Sequence, residues 1–150
     1  MANLNFKKDL LLGNEGEDVL RDFLNSKGCK PISKNDDKRY DLKMLKKGVE
    51  TTYEIKTDFK CAPLFDTGNI FIEFECRGKE SGIMVTEADW FVTYFKYLNE
   101  IWFIKSKKLI QLINDNNFPT FSDAGDLNSN TKGYLINRND FKELFNVYKL

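Results

Sequence analysis

The chain has 150 residues, 41% of them hydrophobic and 14% aromatic, and its 23 acidic and 23 basic side chains cancel to zero net charge. This length predicts one domain with a real core, while the neutral balance gives no general attraction for polyanions, so any nucleic-acid contact needs a local basic patch. Histidine is absent, which removes His-based general-base chemistry and the serine or cysteine triads built around it.

Cys29, Cys61 and Cys76 are odd in number and widely spaced, with no C-x-x-C pair. They read as free buried thiols in a reducing compartment, not as a disulfide framework or a zinc site. No run of about eighteen apolar residues occurs, so no membrane span is expected. The stretch from Met1 to Lys8 lacks the apolar core of a signal peptide. These features together predict a cytoplasmic protein.

In chain order, Leu10 to Lys27 reads as a helix, with Val19, Leu20, Phe23 and Leu24 as its apolar stripe. Asn14 is its expected N-cap, Glu17 the acid of a capping-box variant and Gly28 the stop. Glu17 has two readings, a cap or solvated first-turn acid, or a carboxylate facing a site. Cys29 to Ser33 is extended and 34–38 a polar turn. Tyr40–Leu45 and Thr51–Thr57 form a hairpin turning at Lys46-Lys47-Gly48, and Phe59 to Asn69 is a loop. Ile70 to Cys76 alternates, with Ile70, Ile72, Phe74 and Cys76 on one face and Phe71, Glu73 and Glu75 on the other.

Arg77 to Gly82 is a turn, and Met84 to Asp89 a short connection with a helical turn near Thr86 to Asp89. Trp90–Leu98 and Ile101–Ile104 make a second hairpin, in which aromatic crowding favours strands. Ser106 caps a helix to Asn114. Residues 116–132 are a polar loop, Gly133–Asn137 a last strand and Asp140–Tyr148 a short helix with Phe141, Leu144 and Phe145 as its apolar face. Helix, strands and helix in this order imply an α/β or α+β architecture, a sheet flanked by helices.

The middle hairpin carries the chemistry. Strand alternation puts Glu54 and Lys56 on one side of the second strand and Ile55 on the other. Antiparallel pairing brings Asp41, thirteen residues before Glu54, beside them. Magnesium is held by one or two carboxylates, with waters and phosphate oxygens completing the shell. Asp41 and Glu54 supply that pair, and Lys56 adds a positive charge able to orient a water or stabilise a pentacovalent phosphate. The bland alternative is a solvated strand face with a surface ion pair worth ~0–1 kcal/mol.

Asp41 followed by Glu54-Ile55-Lys56 resembles the PD-(D/E)XK nuclease superfamily, whose signature is an acid on one strand and Glu-x-Lys on the next. The resemblance covers roughly residues 10 to 104. The stretch Ser81-Gly82-Ile83, then Thr86 to Trp90, also looks like a segment of small phage-type members. It implies a restriction-endonuclease-like core, a mixed central β-sheet flanked by helices. It also implies Mg2+ (with Mn2+ able to substitute) on Asp41, Glu54 and the Ile55 carbonyl, Lys56 as catalytic lysine and Glu17 as a further acid. The chain departs from the pattern in having Tyr40 where a proline often precedes the first acid.

By this resemblance the expected activity is metal-dependent DNA endonucleolysis, structure-selective at junctions or flaps in the manner of Holliday-junction resolvases, and performed by a homodimer. Lys34, Lys38 and Arg39 are candidate phosphate contacts beside Asp41; Lys105, Lys107 and Lys108 form a second basic cluster. Glu73 or Glu75 can join the metal shell or be the wet face of a strand. Asp58 and Asp66 can reach the site or make turns. Tyr94, Tyr97 and Trp102 can stack on bases or pack the hairpin. The alternative function is a non-catalytic DNA- or protein-binding module on the same fold. A carboxylate-only nuclease of another fold is a third.

Overall fold

Alternation along the strands sorts this chain into layers. The computed structural model describes residues 4–33, 39–122 and 130–150, and within the first helix the side chains from residue 15 onward. Helix α1 (Leu4–Ser26) is followed by β1 (Lys30–Pro31), β2 (Leu42–Lys46), β3 (Val49–Asp58), β4 (Asn69–Cys76) and β5 (Lys79–Glu80). A 3-10 turn at Gly82–Met84 leads to β6 (Trp90–Phe95), β7 (Glu100–Lys105) and α2 (Ser106–Asp115). The chain then runs through β8 (Thr120–Ser122), β9 (Lys132–Asn137), α3 (Arg138–Phe141), a 3-10 turn at Lys142–Leu144 and β10 (Asn146–Lys149).

The strands make two sheets. The central one is six-stranded and mixed, in the order β1-β2-β3-β6-β7-β10, with β3 and β6 parallel and the other pairs antiparallel. The second is four-stranded and antiparallel, in the order β5-β4-β9-β8. The expected mixed sheet flanked by helices is therefore present, as an α+β arrangement.

Each face of the central sheet builds its own core. Tyr53, Ile55, Val92, Tyr94 and Phe103 face α1, where Leu20 and Leu24 sit one turn apart. Burying such a side chain contributes about 1.5–3 kcal/mol. The alternate residues Phe91, Phe95, Trp102 and Ile104 face the opposite way, against Ile70 and Ile72 of β4, Ile136 of β9 and Leu109 of α2. Glu54 and Lys56 belong to this second face by alternation. No helix among the described residues is long and apolar enough to cross a membrane, and Cys29, Cys61 and Cys76 form no disulfide among the described residues.

The register leaves one edge open. The β2–β3 ladder ends at Leu42 opposite Tyr53, while β3 continues beside β6 as far as Asp58 opposite Phe95. The far half of β3 thus has β6 on one side and no ladder partner from β2 on the other. The candidate site forms at that fork.

Several sequence expectations need correction. Helix α1 begins at Leu4, so Asn14 lies within it and is not its N-cap, and Glu17 is not a first-turn acid. The helix does stop as expected, with the Gly28 N–H donating to the Asn25 carbonyl and the Cys29 N–H to that of Leu24. Ser106 is the first residue of α2, not its side-chain cap, and its buried Oγ has no partner. The helical turn expected at Thr86–Asp89 sits earlier, at Gly82–Met84, where Gly82 presses on the β4 backbone: a Cβ there would meet the Glu73 carbonyl oxygen at 2.2 Å.

The expected helix Asp140–Tyr148 is cut short, and its second half becomes β10, pairing Asn146–Lys149 with the edge of β7. Val147 and Tyr148 suit a strand, and a free sheet edge outweighs weak local helix propensity. The Asn- and Ser-rich stretch contains the strand β8 at its start; 123–129 lie outside the described residues.

Close packing of α1 on β3 depends on Gly16. A Cβ at this position would stand 2.1 Å from Thr57 Oγ1 and 3.6 Å from Ile55 Cγ1. Gly→Ala inside a helix ordinarily stabilises by roughly 0.5–1 kcal/mol, but overpacking a tight contact costs about 1–3 kcal/mol. Gly16→Ala is expected to lower the thermal midpoint, and Thr57→Ala in the same chain to restore most of it; a higher midpoint for the single variant would refute the tight contact.

Candidate active site

The fork is closed by Asp41. Its backbone N–H donates to the Tyr53 carbonyl at 2.9 Å, and its Oδ2 accepts the Ile55 N–H at 2.9 Å. The carboxylate therefore takes the place of the β2 backbone just where the ladder ends. Strand geometry sends the Ile55 carbonyl to the same side as its N–H, so carboxylate and carbonyl open onto the same gap. Glu54, opposite Asp41 by extension of the register, reaches Lys56 Nζ with its Oε1 at 3.5 Å.

Charge is concentrated here beyond what burial favours. The Glu54 side chain is only 13% exposed, and desolvation, reinforced by the nearby Asp41 charge, holds its carboxyl above the ordinary value despite Lys56 and Thr86. Burial alone would pull the Lys56 ammonium down. The charges of Glu73, Glu54 and Asp41 outweigh it and leave the group above its usual range. Lys56 is thus a cation at neutral pH, suited to stabilising negative charge and not to accepting a proton.

Thr86, which the sequence places in a segment after the motif but gives no role at the site, contacts Glu54 directly. Its Oγ1 donates to Glu54 Oε2 at 3.3 Å and accepts the Ala88 N–H at 3.2 Å. The segment around it is tied to the hairpin on both sides. The Glu87 N–H donates to the Arg39 carbonyl at 2.7 Å, the Arg39 N–H donates to Glu87 Oε2 at 3.1 Å, and Asp89 Oδ2 accepts both the N–H and the hydroxyl of Thr52. This strap holds Glu54 through Oε2, while Lys56 faces Oε1. A Thr after a Ser-Gly turn carries no sequence signal by itself; only the fold puts it against the acid.

The remaining candidates divide. Glu73 stands at a β-bulge in β4, and its charge is the largest single Coulombic influence raising Lys56, so it belongs to the cluster. Glu75 is taken by Lys132 at 3.1 Å. Asp58 Oδ1 accepts the N–H groups of Lys60 and Cys61, and Asp66 pairs with the buried Arg138, which holds its carboxyl below the usual range. Those two acids shape the loop after β3. Glu17 follows Gly16 on α1, which packs on the Ile55 and Thr57 face of β3, opposite the face that carries Glu54 and Lys56. Arg39 is exposed directly before Tyr40 and Asp41, whereas Lys34 and Lys38 lie outside the described residues. Tyr94 and Trp102 are core residues and Tyr97 is exposed.

Asp41, Glu54 and the Ile55 carbonyl make an all-oxygen donor set. Among the described residues no three acidic or thiol side chains converge into a closed metal cage. Two carboxylates and a carbonyl suit a hard divalent cation that keeps several waters, as magnesium does. The Glu54 carboxyl, held above its ordinary value first by burial and then by Asp41, fits such a cation, because a positive ion beside it would favour its charged form. Comparison of the chain with protein-family models, with curated proteins and with solved structures finds no match.

Proposed function

We propose that this protein is a metal-dependent DNA endonuclease with a restriction-endonuclease-like core of the PD-(D/E)XK type. The observation that carries the reading is the fork itself. Asp41 caps the Ile55 N–H, and Glu54 and Lys56 sit 3.5 Å apart on the adjoining face. This supports a nuclease better than a solvated strand face, whose charges have no reason to be desolvated or to crowd.

In this reading Asp41, Glu54 and the Ile55 carbonyl hold Mg2+ or Mn2+. Such an ion supplies polarisation of a phosphodiester and a lowered pKa for water. Lys56 orients the attacking water and offsets the charge that develops on the phosphoryl oxygens. Thr86 keeps Glu54 from turning away, and Glu73 keeps Lys56 charged and directed. Arg39 is a phosphate contact at the rim, and Glu17 an outer acid. A homodimer suits symmetric cutting of a branched substrate.

The test is cleavage of labelled duplex, single-stranded, flap and four-way-junction DNA with Mg2+, Mn2+ or EDTA. Cutting is expected with either metal, none in EDTA, and none from an Asp41→Ala, Glu54→Ala double variant. Intact DNA binding with no cutting of any form would instead identify a non-catalytic module.

A further inference from the structure

The loop between β3 and β4 is built against the usual chemistry of turns. The Phe65 N–H donates to the Ala62 carbonyl at 2.9 Å, closing a β-turn with Pro63 at its second position. Pro there is ordinary; the other turn positions normally carry Gly, Asn, Asp or Ser. Here they carry Ala62, Leu64 and Phe65, and the last two, 87% and 80% exposed, are the two most exposed large apolar side chains among the described residues.

Both feet of the loop are fixed. Asp58 Oδ1 takes the N–H groups of Lys60 and Cys61 at 2.9 Å, and Cys61 is buried in the core under the second sheet. On the return side Asp66 accepts the Gly68 N–H and pairs with Arg138, whose own N–H donates to the Gly68 carbonyl. Arg138 in turn lies over the Phe95 ring. The apolar tip is therefore held out by a pinned frame.

The loop leaves the same open end of β3 that carries Lys56 and the Asp41 fork. A two-residue tip is far too small for a stable protein interface, which needs ~1,000 Å² or more. Inserting between base steps is what single apolar side chains do when they unstack and kink a duplex.

We propose that Leu64 and Phe65 form an apolar wedge that enters an unstacked step of branched or distorted DNA and so selects the substrate. The proposal rests on the nuclease reading for its ligand. It assigns to this loop the discrimination between branched and continuous DNA, while the fork performs the chemistry on either.

The experiment places 2-aminopurine, whose fluorescence rises when it is unstacked, at the branch of a four-way junction. Binding is followed with Ca2+ in place of Mg2+. The wild-type chain is expected to raise the fluorescence. A Leu64→Ser, Phe65→Ser variant is expected to leave it unchanged and to bind the junction about ten- to a hundredfold more weakly, as loss of base stacking implies, with duplex affinity and thermal midpoint preserved.

Equal fluorescence and junction affinity in the two proteins overturns the wedge, and Mg2+-dependent cutting by the wild type then leaves the nuclease reading standing. Fluorescence gain without cutting does the reverse. Absence of any DNA binding overturns both, and a variant altered only in its oligomeric state would reassign the tip to contacts between copies of the chain.

Discussion

Lys56→Ala is expected to lower the cleavage rate about 10²–10³-fold, the usual loss when one charge-stabilising donor is removed from a transition state. The expectation follows from where the ammonium sits. It lies 3.5 Å from Glu54 and within the fields of Glu73 and Asp41, and these keep it charged at neutral pH. In the proposed reaction a group so placed would act on charge that appears in the transition state, so the loss belongs in kcat and not in KM for DNA. The Mg2+ concentration giving half-maximal rate should stay within a few-fold of wild type, because Lys56 is not a donor to the cation. Lys56→Met, which keeps the apolar stem, separates packing from charge and should be as inactive as the alanine variant. Near-full activity in both would point to a carboxylate-only nuclease.

Much of this site was legible because a hairpin converts sequence spacing into proximity. The Lys47-Gly48 pair, at φ +50° and +77°, makes the two-residue turn that fixes the register. With that turn fixed, the spacing of Asp41 and Glu54 determines that they meet. The alternation of Ile70 to Cys76 was readable for the same reason, since one half-buried strand shows its own period. What lay hidden depends on partners distant in the chain. Thr86 matters because the turn at Gly82 presses on β4 and swings the strap across to Glu54. Glu73 matters because β4, a strand of the second sheet, brings its charge to bear on Lys56. Residues 146–149 became a strand because β7 offered a free edge, which no local pattern announces. Of the two readings of Glu17, the cap falls away because the helix begins at Leu4, a start that the Leu10–Lys27 stripe does not show.

Glu54→Gln is expected to abolish metal-dependent cleavage and at the same time to make the metal-free protein more stable. In the folded chain the Glu54 carboxyl is held above its ordinary value, first by desolvation and then by Asp41. A raised acid binds its proton more tightly when folded than when unfolded. Stability is therefore greatest below the unfolded value of 4.5 and declines as pH rises through the folded one. Above the unfolded value the raised acid thus carries a cost that the neutral amide lacks, while Gln can still accept the Thr86 hydroxyl. The metal-free variant should therefore melt higher than the wild type near pH 7. The gap should close as pH falls toward 4.5. Added Mg2+ should reverse the order. A cation at ten times its Kd stabilises the wild type by about 1.4 kcal/mol, and the variant, short of one ionised donor, should gain little. Melting curves across pH, with and without Mg2+, check all of this. A Glu54→Gln protein no more stable than wild type at neutral pH would mean that Lys56 and Thr86 already compensate the acid, and that the fork is a structural ion pair with no unmet demand for a cation.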